Sequence, residues 1–163
     1  MKDFSILVPK WGNIYPYNGD DFTDFKMREM DYLETSATMG ITSPLLILEQ
    51  AVSKSQYTWV IKPDRVIGVF GVTPHPQTGV IGIPWLIGDE RLNDIPPKTY
   101  VRMSKDIIEA FHKKFEVLAN IVMADYVKAI RWLEVIGFTV SREDPYVYSD
   151  KQFYMFHKRR NYV

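Results

Sequence analysis

The sequence predicts an α+β domain with a central, mostly antiparallel mixed sheet flanked by about four helices. From Tyr57 to Ile87 short apolar runs are separated by Pro/Gly/Asp turns, the pattern of strands in hairpins, while before that block apolar residues recur at three- to five-residue steps, the period of an amphipathic helix. No repeat, linker or low-complexity run interrupts residues 1–163, so one domain is expected.

Each element has its own local signal. Asn13 to Tyr17 reads as a short strand ended by the turn Asn18-Gly19, and Asp20, Asp21, Thr23 and Asp24 follow as candidate helix caps. Phe22, Phe25, Met30, Leu33 and Ala37 form one apolar face of a first helix, which Gly40 stops. Thr42-Ser43-Pro44 combines a cap with a proline in the first turn, opening a second helix through Leu45, Leu48, Ala51 and Val52.

Three strands follow in two hairpins: Tyr57 to Ile61, Arg65 to Val72 and Gly79 to Ile87, with turns at Pro63-Asp64 and at Pro74 to Thr78. After Gly88, a loop containing Pro96-Pro97 leads to a long helix with Tyr100, Ile107, Phe111 and Phe115 on one side and Lys105, Lys113 and Lys114 elsewhere. Val117 to Met123 reads as a buried strand. A helix from about Asp125, its candidate N-cap, to Ile136 then stops at Gly137. Phe138 to Arg142 and Gln152 to Lys158 are the last strands, around a turn from Pro145 to Asp150.

Bulk composition narrows the function classes. With 46% hydrophobic and 14% aromatic residues the chain can bury a core, so disorder is not expected. Lys+Arg and Asp+Glu balance at 20 each, which leaves no net field to attract nucleic acid or an anionic membrane. The longest apolar runs, Leu45 to Leu48 and Val80 to Ile87, are too short to span a bilayer. No cysteine is present, which excludes disulfides, a thiolate nucleophile and Cys-based metal sites. The start MKDFSILVPKW lacks the apolar core of a signal peptide, so a cytoplasmic location is expected. His75, His112 and His157 lack metal-ligand spacing and read as surface residues, and no metal site is expected.

The element order β-α-α-β-β-β-α-β-α-β-β, with Ala129-Ile130 and Gly137-Phe138 in and after the last helix, resembles the GNAT acyl-CoA N-acyltransferase fold. That resemblance implies a working domain built to hold acetyl-CoA. It implies a pyrophosphate loop after the central strand, where glycines let backbone N–H groups approach the diphosphate. Here the loop is Gly88-Asp89-Glu90-Arg91-Leu92-Asn93-Asp94-Ile95-Pro96-Pro97, with one glycine, two prolines and three acids. Anchored on Gly137-Phe138, the family's Asn position falls on Tyr126 and its Tyr, the general acid for the thiolate, on Leu133, which has no proton to give.

A further resemblance is to phage-encoded GNAT-like proteins, including internal virion proteins of short-tailed phages. Three segments carry it in order: Pro84-Trp85-Leu86-Ile87-Gly88-Asp89, Ala129 through Phe138, and Pro145-Tyr146 with Phe153-Tyr154-Met155-Phe156.

Two functions follow as expectations. The first is a phage protein with a degenerate acyl-CoA site, acting in virion structure or assembly or in host interaction. Its partners would be phage structural or host proteins, with homo-oligomerisation allowed, in the host cytoplasm or incorporated in the virion. The second is an active acetyl-CoA-dependent N-acetyltransferase with a non-standard pyrophosphate loop. In that case Asp89 or Glu90 is the base, acting through a water, and backbone amides near Trp85 and Leu86 hold the thioester. The residues implied to line the cofactor site are Pro84, Trp85, Leu86, Ile87, Gly88, Tyr126, Ile130 and Leu133.

Pro84 reads either as a residue that splays the strand or as an ordinary strand-end proline. Alternation puts Trp85 with Ile83 and Ile87 on one face, as core or as site. The basic residues Lys151, Lys158, Arg159 and Arg160 read as a solubilising tail or as a phosphate or partner contact. Residues 1–12, with Phe4 and Trp11 and followed by Tyr15 and Tyr17, read either as a docking segment for another subunit or as a segment that folds back on the sheet.

Overall fold

A computed structural model describes residues 13–161. The candidate docking segment 1–12 lies outside the described residues.

Among the described residues, seven strands and four helices follow one another as β1 (Ile14–Pro16), α1 (Glu29–Met39), α2 (Pro44–Lys54), β2 (Tyr57–Ile61), β3 (Gly68–His75), β4 (Thr78–Gly88), α3 (Pro97–His112), β5 (Val117–Met123), α4 (Val127–Val135), β6 (Thr139–Tyr148) and β7 (Lys151–Arg159). A 3₁₀ turn, Glu90–Asp94, precedes α3. The strands form one sheet in the order β1-β2-β3-β4-β5-β7-β6. Every neighbouring pair is antiparallel except β4 and β5. That parallel pair needs a crossover, which α3 supplies.

The sheet separates two apolar layers. Ile47, Leu48 and Ala51 of α2 pack with Val60, Val69 and Ile87 on one face. On the other, Ile107, Phe111, Ile130 and Leu133 of α3 and α4 pack with Phe70, Val72, Leu118 and Phe156. Strand alternation produces this division, since successive side chains leave a strand on opposite sides. Trp59, Phe70 and Phe111 stack as a triad with ring centroids 5.6–6.4 Å apart, joining β2, β3 and α3. Truncating a fully buried ring such as Phe111 would cost about 3–5 kcal/mol.

Several boundaries differ from the sequence expectation. Asp20 to Asp24 do not cap α1. Asp21 instead accepts from Thr23 N and Oγ1 at 2.9 and 3.0 Å, a local turn that competes with helix initiation, and α1 starts after Arg28. Phe22 consequently packs with α2 instead of extending the face of α1. Asp125 does not cap α4: Tyr126 holds the N-cap position and caps nothing with its side chain. His112 is a further correction. It is buried, its Nδ1 3.0 Å from Phe115 O in the turn that closes α3, and burial lowers its pKa. Strand β6 runs past Arg142 through a bulge between Ser141 and Tyr146 to Tyr148, so part of the expected turn is ladder. Ser43 caps α2 as expected, accepting from Leu46 N at 3.3 Å, and Gly137 turns the chain at φ +106.

Candidate functional site

The backbones of strands β4 and β5 pair only near their beginnings. Ile81 pairs with Val117 and Gly82 with Leu118, and beyond that the two strands diverge. A cleft of about 480 Å³ opens at this split, reaching from Tyr100 and Trp132 on the α3–α4 side to Thr38 and Ser55 on the α1–α2 side.

The ladder phase shows which backbone groups face the split. Asp89 N bonds to Ile67 O of the segment leading into β3. By antiparallel alternation, residues 83, 85 and 87 also address β3, whereas Gly82, Pro84, Leu86 and Gly88 turn their backbone groups toward the split. On the facing strand, Arg160 N bonds to Glu116 O and Ala124 N to Gln152 O, so the even residues of β5 serve β7. Ile121 and Met123 therefore face β4.

Most of these groups already have partners from the chain itself. Asn120 Nδ2 donates to Pro84 O at 2.7 Å while its Oδ1 accepts from Ile121 N at 2.8 Å. Glu34 Oε2 accepts from Met123 N at 2.8 Å. Asp31 Oδ2 accepts from Gly88 N at 2.6 Å, and Arg28 N donates to Gly88 O at 2.9 Å. Pro84 has no N–H at all. Leu86 is left as the β4 residue whose N–H and C=O address the cleft.

The acids come from α1, where Asp31 and Glu34 stand one turn apart beside its apolar face. Asp31 is buried and also accepts from Arg28 Nε at 2.9 Å and from Tyr126 Oη at 2.5 Å. Burial, with the Asp31 charge, drives the Tyr126 phenol far up, so its proton stays on the bond to Asp31. Tyr100 is pushed up to about 12 mainly by burial. Glu34 is half-buried, and burial is the main reason its carboxyl rises to about 7; the Asp31 charge adds to this, while the Met123 N–H and Arg28 oppose it. A carboxyl poised near neutrality in a cleft can take up a proton.

The residues expected from sequence divide into two groups. Pro84, Trp85, Leu86, Ile87, Tyr126 and Leu133 line the cleft; Gly88, Ile130, Asp89 and Glu90 do not. Trp85 is half-buried, its indole N–H bonded to Ser55 Oγ at 3.0 Å, and its backbone faces β3, away from the split. Ile130 and Leu133 are buried core residues. Gly88 is glycine for a steric reason: a Cβ there would lie 2.6 Å from Arg28 Nε.

Asp89 does not have the freedom a base requires. Its carboxylate is wholly covered and accepts from Lys26 N at 2.6 Å and from Arg91 N, Nε and NH2 at 2.8 Å. Burial pushes its pKa up, but the Arg91 bonds, the Lys26 N–H and the Arg91 charge outweigh that and hold it at about 2. Glu90 is exposed at the start of the 3₁₀ turn. Sequence reasoning missed Arg28, Asp31, Glu34 and Asn120. The available signal was the Asp31/Glu34 spacing on the flank of an apolar helix face. Among the described residues no group of three His, Asp or Glu is placed to hold a metal, and no helix is long and apolar enough to cross a membrane.

The architecture is that of the GNAT fold. A Bacillus subtilis acetyltransferase in complex with CoA is similar at TM-score 0.60 and 8% identity, over 91% of this chain and 99% of that one. A GNAT family acetyltransferase from Elizabethkingia anophelis with acetyl-CoA bound is similar at TM-score 0.59 and 12% identity, over 90% and 97%. A Streptococcus mutans protein is similar at TM-score 0.64 and 15% identity, over 90% and 98%. At such identities the likeness concerns fold alone. No protein-family model matches the sequence, and no curated protein sequence matches it.

Proposed function

We propose that this GNAT-fold chain acts by binding and not by acyl transfer: a phage-encoded protein with a degenerate acyl-CoA site, working in virion structure or assembly or in host interaction. One observation carries the loss of transfer. At the inner open edge of β4 stands Pro84, which has no N–H to offer an acyl carbonyl and whose own carbonyl is tied to Asn120, so the nearest β4 donor facing the cleft is Leu86 N–H, two residues further out. The loop before α3 adds to this, since Pro96 and Pro97 withhold donors and Glu90 and Asp94 are exposed acids where a diphosphate would dock. The phage assignment is supported by the three sequence segments described above. The proposed partners are phage structural proteins, host proteins or further copies of the chain, in the host cytoplasm or packaged in the virion.

Calorimetry with acetyl-CoA tests the reading. The expected result is no binding in the micromolar range, and micromolar binding would defeat it.

Glu34 favours a second reading, an active acetyl-CoA-dependent N-acetyltransferase. In that reading Glu34, in place of Asp89 or Glu90, accepts the proton of an acceptor amine, since its carboxyl opens onto the cleft and is poised near neutrality. Mass spectrometry of amine-bearing proteins and peptides incubated with acetyl-CoA would reveal transfer. Under this reading Glu34→Gln abolishes transfer while acetyl-CoA affinity is kept.

A further inference from the structure

The Asn120 carboxamide sits just past the last paired residues of β4 and β5, where the parallel ladder breaks off. It donates to Pro84 O and accepts from Ile121 N, the two groups a third strand inserted in the split would engage with its own N–H and C=O. A side-chain amide thus stands where the amide of an extended ligand would stand. The neighbouring positions are filled in the same manner, Met123 N by Glu34 and Gly88 N by Asp31, but those acids come from α1 and belong to a charged network. Asn120 alone is a neutral amide contributed from within the split.

We propose that Asn120 is an internal surrogate for a ligand amide and decides whether the split admits an extended, amide-bearing chain of the pantetheine type. This rests on the degenerate-site reading above. The carboxamide satisfies Pro84 O and Ile121 N without a ligand, so an entering amide has to displace two hydrogen bonds before forming its own. Shortening the side chain removes the competitor and frees both groups, beside Leu86, whose N–H and C=O already face the cleft.

The test is calorimetry of the full chain with pantetheine and with coenzyme A, on the parent protein, Asn120→Ala and Asn120→Ser. Amide spectra are followed in parallel at Leu86 and Ile121. Asn120→Ser serves as the milder variant should the alanine form fail to fold. Pantetheine is expected to bind the variants about tenfold or more tighter than the parent, shifting the Leu86 and Ile121 amides. A folded variant with affinity equal to or below the parent's overturns the proposal, as does binding that leaves both amides unmoved, or no binding by any form. Micromolar coenzyme A binding by the parent would instead defeat the degenerate-site reading, while the ratio of variant to parent would still judge Asn120.

Discussion

Replacing Glu34 with glutamine should stabilise the protein, and do so more as pH rises. The folded carboxyl titrates at about 7 against an ordinary 4.5, so between those values the native state holds a proton that the unfolded chain has released. Stability therefore falls as pH rises through that window, and the penalty is complete above the folded pKa. A shift of this size corresponds to about 3 kcal/mol, and because one edge of Glu34 opens to the cleft the measured effect should lie at about 1–3 kcal/mol. Glutamine keeps an oxygen to accept from Met123 N, so the hydrogen bond at 2.8 Å need not be lost. Urea unfolding of parent and Glu34→Gln at about pH 5 and about pH 8.5 reads the effect directly. The stability difference between the two proteins should grow with pH by the stated amount. A difference constant to within about 0.5 kcal/mol would refute the reasoning, since the carboxyl would then titrate alike in both states.

Other perturbations follow from the same contacts. Asp31→Ala leaves Arg28 Nε, Gly88 N and Tyr126 Oη without their shared acceptor and should cost about 3–5 kcal/mol in chemical denaturation. Asp89, held at about 2 against an ordinary 3.8, contributes about 1–2 kcal/mol that is present above the unfolded value and lost as pH falls through the folded one. Asp89→Asn should accordingly flatten the acid limb of a stability–pH curve. Gly137→Ala places a Cβ at φ +106 and 2.8 Å from Lys158 Cε, and should lower stability by about 1–2 kcal/mol in thermal melts.

The segment Pro84 to Asp89 illustrates how a motif can be visible while its purpose is not. Its residues stand out in the sequence, yet Trp85 is tied to Ser55, Gly88 lies under Arg28 and Asp89 is locked to Arg91 and Lys26. Each partner is brought there by the fold from another element, except Arg91. The same holds for Leu133 and Ile130, implied by the resemblance as cofactor-site residues: both are buried in the core, and of the two Leu133 also borders the cleft.

By itself the sequence determined the number and order of the elements seen among the described residues, and the two-residue period that puts Ile83, Trp85 and Ile87 on one side of β4. These are local properties, set by backbone preference and side-chain period. Only the tertiary structure decided that Asn120, Asp31 and Glu34 meet the edges of β4 and β5. A hydrogen bond between residues 36, 57 or 89 positions apart leaves no period in the chain. The raised Glu34 carboxyl and the lowered Asp89 carboxyl are likewise products of burial and neighbouring charge, which exist only once the sheet has split and the helices have closed over it.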